Sequence, residues 1–339
     1  MKKLALKLTP QRSTQYANMT EKLAPSEVLA SPLGAAITQI EPVTFAGQSY
    51  LLVSLDDESV SSQCPGLEEI LPRLGAISEA YEFFERIDDV EGPFLRPLET
   101  SFAPFLPLEM AEIRRYKGKT NEVFTRVLLN IAIFAGAFGS QYTGRLRILD
   151  PLAGGGTTLF LALAAGYDAF GIEHQKQDID TTVVFIRQYL NSIHMPYKEL
   201  DERGRRAGRR YQFEIGRKGA THRLVLAHGD TCEANLHMQE VPGGPRMHAI
   251  ACDLPYGIQH FGESASMLSK ALPVWENMLL PGGAIALAWN ATRIERTAMI
   301  ELVEQHTQLR IRNDPPYTQL VHTVDRVIKK RDILVAVKS

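Results

Sequence analysis

The chain has 339 residues, more than the roughly 250–300 residues at which a single hydrophobic core stops growing, so its length favours two domains. Hydrophobic residues make up 45% and charged residues 22%, which excludes a disordered or fibrous protein. The formal net charge of −2 excludes a globally basic nucleic-acid-binding protein but permits a local basic patch.

Cysteine usage and hydropathy indicate a protein of a reducing compartment. Cys64, Cys232 and Cys252 are widely spaced and form no CxxC pair, which argues against a disulfide framework or a thiolate metal site. The histidines show no metal-ligand spacing. The best apolar run, 127–138, is shorter than the roughly 20 residues that span a bilayer, and charges interrupt the N-terminal residues. We therefore expect a cytoplasmic protein without a membrane partner or a metal ion.

The first hundred residues read as a small α+β domain. Short alternating runs, of which 3–8 and 50–55 are the clearest, are separated by turn-rich segments. Four prolines then lie between residues 92 and 107, where they cannot continue a helix or a central strand and so suit a linker. We place the domain boundary after residue 108, which gives an accessory domain 1–108 and a second domain 109–339.

The second domain begins with a helix and continues as alternating strands and helices. Thr120 or Asn121 can cap a helix whose apolar residues recur at helical spacing from Phe124 onward. Strand-like runs and helical patterns then alternate from residue 145, which predicts a parallel, doubly wound α/β sheet covered by helices on both faces. The β-rich segments 319–328 and 333–337 predict a closing hairpin with an antiparallel last strand. The predicted strands are 146–149, 169–172, 224–227, 248–252 and 284–288.

A glycine run stands where the first predicted strand meets its helix. Three consecutive glycines let a ligand approach the backbone, and the helix start offers free N–H groups. A phosphate-binding P-loop would need a lysine after the last glycine, and a dinucleotide fingerprint would need glycine where Leu159 stands. A purely structural turn leaves the preceding aspartate unexplained. The expected cofactor contacts are Asp150, Pro151, Gly154, Gly155, Gly156 and Thr157.

Two further acidic residues follow neighbouring strands. Glu173 ends the second strand, where an acidic residue in a nucleotide-binding unit accepts hydrogen bonds from ribose hydroxyls. Asp230 follows the third strand, where it could accept from an adenine amino group or cap the next helix. We expect Glu173 at the cofactor ribose and leave both interpretations of Asp230 open.

The fourth predicted strand runs directly into Asp253-Leu254-Pro255-Tyr256-Gly257. An exocyclic amine conjugated to a base is a poor nucleophile, so a site that methylates it must orient the amine and accept its hydrogen. The Asp253 carboxylate and the Leu254 carbonyl can accept, Pro255 stiffens the loop, and Tyr256 offers a stacking face to an extruded base. Asp253 is also an expected cofactor contact. The alternative is a plain turn, since Asp, Pro and Gly are all turn residues.

This pentapeptide resembles the [D/N/S]PPY motif of amino-group methyltransferases, and residues 150–158 resemble their DPFxGxGT cofactor loop. The chain is most similar to the THUMP-linked tRNA guanine-N2 methyltransferases, which tolerate the pattern DxPYG. The segments 71–77 and 115–121 carry the likeness upstream. The resemblance implies a class I methyltransferase fold, S-adenosyl-L-methionine as cofactor, RNA (tRNA) as partner, and guanine N2 as the methylated group.

Other functions share these features. Methylation of adenine N6 or cytosine N4 in DNA, or of a protein amide, needs the same acceptor chemistry. A non-catalytic RNA-binding protein could also retain the fold.

An arginine-rich segment lies between the second predicted helix and the third strand. Phosphate contacts dominate nucleic-acid affinity, and a glycine-punctuated arginine loop supplies them without requiring a fixed base sequence. A solvated loop is the alternative. The expected nucleic-acid contacts are Arg205, Arg206, Arg209 and Arg210.

Overall fold

The computed structural model describes residues 2–11, 14–56, 66–204, 208–255, 261–324 and 329–339. The chain divides into two compact units, of which the first contains Met1–Ala103 and Asn313–Arg331, and the second Pro104–Arg312 and Asp332–Ser339. Sequence analysis assigned residues 313–331 to the second domain. No helix in the described parts of the chain has the length and apolar character that crossing a membrane requires.

The first unit is built on an antiparallel sheet of order β2-β3-β1-β4-β5. The predicted α+β character of this unit is confirmed. Its elements are β1 (Lys2–Leu8), α1 (Thr14–Ala30), β2 (Ile37–Phe45), β3 (Gln48–Leu55), α2 (Leu67–Ile70), β4 (Ile77–Ile87) and β5 (Val90–Pro97).

A buried glutamate ties helix α1 to the chain before β4. Glu27 is fully buried, and its two carboxylate oxygens accept from the Gly75 amide at 2.7 Å and the Ala76 amide at 2.8 Å. Charged acceptors make the stronger hydrogen bonds, and a buried amide left without a partner is costly. Glu27 therefore fixes the entry of the chain into β4.

Replacement of Glu27 by alanine should leave those two amides without their acceptor, so we expect the free energy of unfolding to fall by about 2–4 kcal/mol. Urea denaturation measures the change. Glu21→Ala, on the same helix but exposed, is the control and should cost far less. Equal losses in the two variants would contradict the role of Glu27.

The second unit alternates helices and strands, as the sequence predicted. Its elements are α3 (Glu109–Ile113), α4 (Glu122–Ala135), β6 (Arg147–Asp150), α5 (Thr157–Ala164), β7 (Asp168–Glu173), α6 (Lys176–Ser192), β8 (Tyr197–Gly204), β9 (Gly208–Arg217), β10 (Ala220–His228), α7 (Ala234–Met238), β11 (Met247–Asp253), α8 (Phe261–Met278), β12 (Leu279–Asn290), α9 (Arg296–His306), β13 (Arg310–Ile311) and β14 (Arg331–Val337).

The sheet has the order β13-β14-β12-β11-β6-β7-β10-β9-β8. Strands β10, β7, β6, β11 and β12 run parallel to their neighbours within this group. Strand β14 lies between β12 and β13 and runs antiparallel to β13, and just past its end the Gly282 amide donates to the Lys338 carbonyl and the Lys338 amide to the Gly283 carbonyl. The doubly wound sheet with an antiparallel last strand is confirmed.

The predicted C-terminal hairpin is wrong in its first strand. Residues 319–324 form only an isolated bridge, between His322 and Arg331, and 325–328 lie outside the described residues. Strand β14 pairs instead with β12 on one side and with β13 on the other. Both of its hydrogen-bonding edges are therefore occupied along the sheet.

The arginine-rich segment differs from expectation in its described part, because Arg203 lies at the end of β8 and Arg209 and Arg210 lie in β9; residues 205–207 lie outside the described residues. Strands β8 and β9 form an antiparallel hairpin that extends the sheet beyond β10. Tyr211, Phe213 and Ile215 are buried along one face of β9. This alternation is a strand pattern, which the interspersed charged residues obscured in the sequence.

The start of helix α4 confirms the predicted cap. The side chain of Asn121 accepts from the Phe124 amide at 3.0 Å, which satisfies one of the free amides of the first turn. Nearly the whole helix is buried, and it packs on β11 and β12. Residues just before the cap are thereby held near the ends of these strands.

Candidate active site

Three carboxylates meet at the carboxyl edge of the parallel strands. Asp150 ends β6, Glu173 ends β7 and Asp253 ends β11. Burial is the main cause that raises the pKa of Asp150 to about 7, and repulsion by Asp253 and Glu173 raises it further. Hydrogen bonds from Thr158 and from the Leu152 amide act in the opposite direction. The three side chains therefore share one electrostatic environment, as expected of adjacent strand ends.

The glycine loop between β6 and α5 is shaped by Glu173. One oxygen of this carboxylate accepts from the Gly154 amide at 2.8 Å, and the other accepts from the Gln175 amide at 2.6 Å. Gly154 and Gly156 have φ values of +50° and +89°, in the left-handed region that favours glycine. A Cβ added to Gly154 would meet no protein atom within 4 Å. The backbone at Gly154 thus faces open space in which a ligand can lie.

Gly155, expected to let a ligand approach the backbone, instead packs against the ring of Tyr116. A Cβ at this residue would lie 2.4 Å from two carbons of the Tyr116 ring. The Tyr116 hydroxyl is 2.7 Å from the Thr157 hydroxyl at the start of α5. The segment around Tyr116 was identified only through the family resemblance. No local sequence pattern predicts a contact between Tyr116 and residues as distant in the chain as Gly155 and Thr157.

Arg114 anchors this segment to α6. Its guanidinium donates to Thr181 at 2.9 Å and to Thr182 at 3.4 Å, and it lies over the rings of Tyr116 and Phe185 at 5.7 Å and 5.4 Å. The pKa of Arg114 is lowered, mainly by burial. Cation–π contact and hydrogen bonds together hold the Tyr116 ring over the glycine loop.

The described residues of the predicted acceptor motif, Asp253 to Pro255, lie at the end of β11. One oxygen of the Asp253 carboxylate accepts from the Thr120 hydroxyl at 2.7 Å. The Leu254 amide donates to the Ala288 carbonyl at 2.9 Å, its side chain is buried, and Pro255 is exposed. Tyr256 lies outside the described residues. Thr120 is a contact that sequence analysis considered only as a helix cap.

The remaining expected cofactor residues are Pro151, Thr157 and Asp230, of which the first two are buried and the third accepts a hydrogen bond from the protein backbone. Asp230 is exposed, and its side chain accepts from the Cys232 amide at 2.9 Å, a bond that lowers the pKa of Asp230. Asp230 therefore caps the short turn 231–233, which is the structural alternative that the sequence left open.

The two described cysteines are unsuited to nucleophilic chemistry. Burial raises the pKa of Cys252 well above its ordinary value, and burial together with Asp230 raises the pKa of Cys232 to about 11. Both side chains therefore stay protonated near neutral pH. Within the described ranges, His, Cys, Asp and Glu side chains form no group able to hold a metal ion.

The arginines expected to contact nucleic acid differ in their surroundings. Arg210 is a correction, because its side chain is only 3% exposed and donates to the His237 carbonyl at 2.9 Å, so it binds helix α7 to the sheet. Arg209 is half-buried, with its guanidinium 4.6 Å from the centre of the Tyr211 ring. Arg205 and Arg206 lie outside the described residues.

The order of the central strands, with an antiparallel last strand and a glycine loop after the first, defines the class I methyltransferase fold. Similar solved structures include TrmN from Thermus thermophilus, at 12% identity, covering 100% of both chains with a TM-score of 0.46. A TehB-like SAM-dependent methyltransferase from Corynebacterium glutamicum is 13% identical over 57% of this chain and 80% of its own, with a TM-score of 0.35.

A fibrillarin pre-rRNA processing protein from Methanococcus jannaschii is 11% identical, covering 100% of this chain and 90% of its own, with a TM-score of 0.38. No protein-family model and no curated protein matches the chain.

Replacement of Gly154 by valine should place a side chain in the open space above the loop, where a Cβ meets no protein atom within 4 Å. It also adds strain at the positive φ. We expect affinity for S-adenosylmethionine and for its demethylated product to fall by about tenfold or more, or roughly 1.4 kcal/mol. Calorimetry measures both. Gly219→Val is the control, because Gly219 also has a positive φ and open surroundings but lies in the β9–β10 turn. Unchanged binding in Gly154→Val would contradict the assignment.

The pKa of Asp150 gives the second prediction. Because burial raises this pKa to about 7 from the ordinary 3.8, the folded state retains a proton that the unfolded state releases. The stability contributed by protonated Asp150 is complete below about pH 4 and is lost as the pH rises through about 7.

Asp150→Asn keeps an acceptor for the Leu152 amide and removes the titration. Its free energy of unfolding should therefore decline less than that of the parent between about pH 5 and about pH 8. Urea denaturation at both pH values tests this, with Asp89→Asn, whose side chain is exposed, as control. Parallel pH dependences in the parent and Asp150→Asn would refute it.

Proposed function

We propose that the chain is an S-adenosylmethionine-dependent methyltransferase that acts on an exocyclic amino group of a nucleic-acid base. The observation that carries the proposal is the position of Asp253 beside the glycine loop. Strands β6 and β11 are parallel neighbours with Ile250 level with Leu149, so Asp253 emerges just beyond Asp150. The acceptor carboxylate and the proposed cofactor loop thus share one edge of the sheet.

The residues at this edge suit the cofactor. Bound S-adenosylmethionine supplies an electrophilic methyl group on a positively charged sulfonium. Asp253 and Glu173 place negative charge beside Asp150, which is itself ionised only above about pH 7, and this charge favours a cation. The open space over Gly154 admits the ligand to the backbone. Glu173 is our ribose ligand, although its present hydrogen bonds to the loop amides mean that it also shapes the loop.

The proposed role of Asp253 follows from the charge that develops on the nitrogen. As the amine bonds to the methyl carbon its nitrogen becomes positive, and a carboxylate that accepts its N–H stabilises that charge. The amine then gives up a proton, which Asp253 can pass to solvent. From the sequence motif we assign Leu254 a second acceptor role through its carbonyl, Pro255 a stiffening role, and Tyr256 the stacking of the base.

RNA is the proposed substrate, with guanine N2 in tRNA as the specific target that the family resemblance implies. Residues 1–103 contain 8 Lys and Arg against 15 Asp and Glu, so this acidic part is poorly suited to supply phosphate affinity. We assign those contacts to basic residues of the second unit and place the protein in the cytoplasm, because the cysteine pattern suits a reducing compartment. The proposed contacts are Arg115, Lys117, Arg205, Arg206 and Arg209.

The decisive experiment is incubation with labelled cofactor and total RNA, DNA and protein from the host, followed by nucleoside mass spectrometry. Label in N2-methylguanosine supports the full proposal, and label in methylated adenine or cytosine of DNA supports the alternative enzyme. Cofactor binding without transfer to any pool would favour a non-catalytic protein.

Asp253→Ala should lower single-turnover methyl transfer by orders of magnitude, because loss of the acceptor costs about 3–4 kcal/mol of barrier, whereas cofactor affinity should fall by far less. Asp180→Ala, a half-buried carboxylate on α6 that pairs with Lys176, is the control and should match the parent. Tyr256→Phe should retain most activity and Tyr256→Ala should not, since stacking needs only the ring. A fully active Asp253→Ala enzyme would overturn the acceptor role.

A further inference from the structure

The segment 114–121, which we call the crossing segment, touches both halves of the proposed site. Arg114 fixes its start to α6, and Tyr116 lies over the glycine loop. Thr120 contacts the Asp253 carboxylate, and Asn121 ends the segment as the cap of α4. One short stretch of chain therefore bridges the cofactor loop and the acceptor carboxylate.

The Asp253 side chain receives a hydrogen bond that restricts its orientation. It is half-buried at the end of a strand and close enough to Asp150 to raise the pKa of that carboxyl. The residue before Asp253 is the buried Cys252, which carries no positive charge that could neutralise the Asp253 carboxylate. A hydrogen bond donated to a carboxylate favours its ionised form and restricts its rotation. The Thr120 hydroxyl makes such a bond at 2.7 Å.

The Thr120 backbone is well placed to hold that hydroxyl still. The next residue, Asn121, caps a buried helix through the Phe124 amide, and Lys119 donates to the Glu112 carbonyl at 3.0 Å and forms an ion pair with Glu122. Thr120 is thus held between two anchored neighbours. Its β-branched side chain also has few rotamers to choose from.

We propose that Thr120 is a positioning residue, whose hydroxyl fixes the Asp253 carboxylate in the orientation that accepts the N–H of the substrate amine. Thr120 itself does not touch the reacting atoms in this arrangement. The proposal rests on the proposed function for its catalytic consequence, but the hydrogen bond on which it depends can be tested without turnover.

The test compares Thr120→Val, which keeps the shape and removes the hydroxyl, with Thr120→Ser, which keeps the hydroxyl. We expect Thr120→Val to lower kcat by about tenfold or more, the scale of one hydrogen bond to a charged group, with an unchanged KM for the cofactor. Thr120→Ser should recover most of the loss. Thr125→Val is the matched control, because the Thr125 hydroxyl donates to the Asn121 carbonyl on the same helix.

A second readout needs no activity. Carboxyl carbon NMR, with the Asp253 resonance assigned by its absence in Asp253→Asn, should show a higher pKa for Asp253 in Thr120→Val than in the parent, and a parent-like value in Thr120→Ser and Thr125→Val. An unchanged titration together with a parent-like kcat would overturn the positioning role. If the parent protein transfers no methyl group at all, the proposed function fails, while the titration alone still decides whether Thr120 holds Asp253.

Discussion

The second unit is organised around a carboxylate that is buried where two other carboxylates converge. Asp150 is only 4% exposed, and the parallel strand order places Asp253 and Glu173 within electrostatic reach of it. Desolvation of a charge is costly, so the neighbourhood offers hydrogen bonds from Thr158 and from the Leu152 amide. A cation bound beside these carboxylates would offset the cost of desolvating the Asp150 charge.

The glycine loop is held on both of its sides by residues far away in the chain. The carboxylate of Glu173, at the end of the next strand, accepts a hydrogen bond from the Gly154 amide. The Tyr116 ring packs on Gly155, and its hydroxyl is hydrogen-bonded to the Thr157 hydroxyl. The loop is therefore preformed by the protein. A preformed loop reduces the ordering cost that accompanies ligand binding.

Much of the sheet was predictable, because each central strand is a short apolar run that ends at a polar or glycine residue. Because Asp150, Glu173 and Asp253 each follow one of these predicted parallel strands, their position at one edge of the sheet was predictable. Thr120 and Tyr116 could not be predicted as contacts, since their partners are remote in sequence. Arg210 was misjudged because composition gives the charge of a side chain and not its direction, and here it points to the His237 carbonyl.

The packing of Tyr116 on Gly155 links two positions that the sequence separates. The ring occupies the volume in which a Cβ of residue 155 would stand, with 2.4 Å between them. Residue 155 is not free to vary independently, because any larger residue there requires a smaller one at 116. In divergent descendants of this chain a change at 155 should therefore accompany a smaller side chain at 116, and a library that randomises residue 155 alone should return almost only the parental glycine.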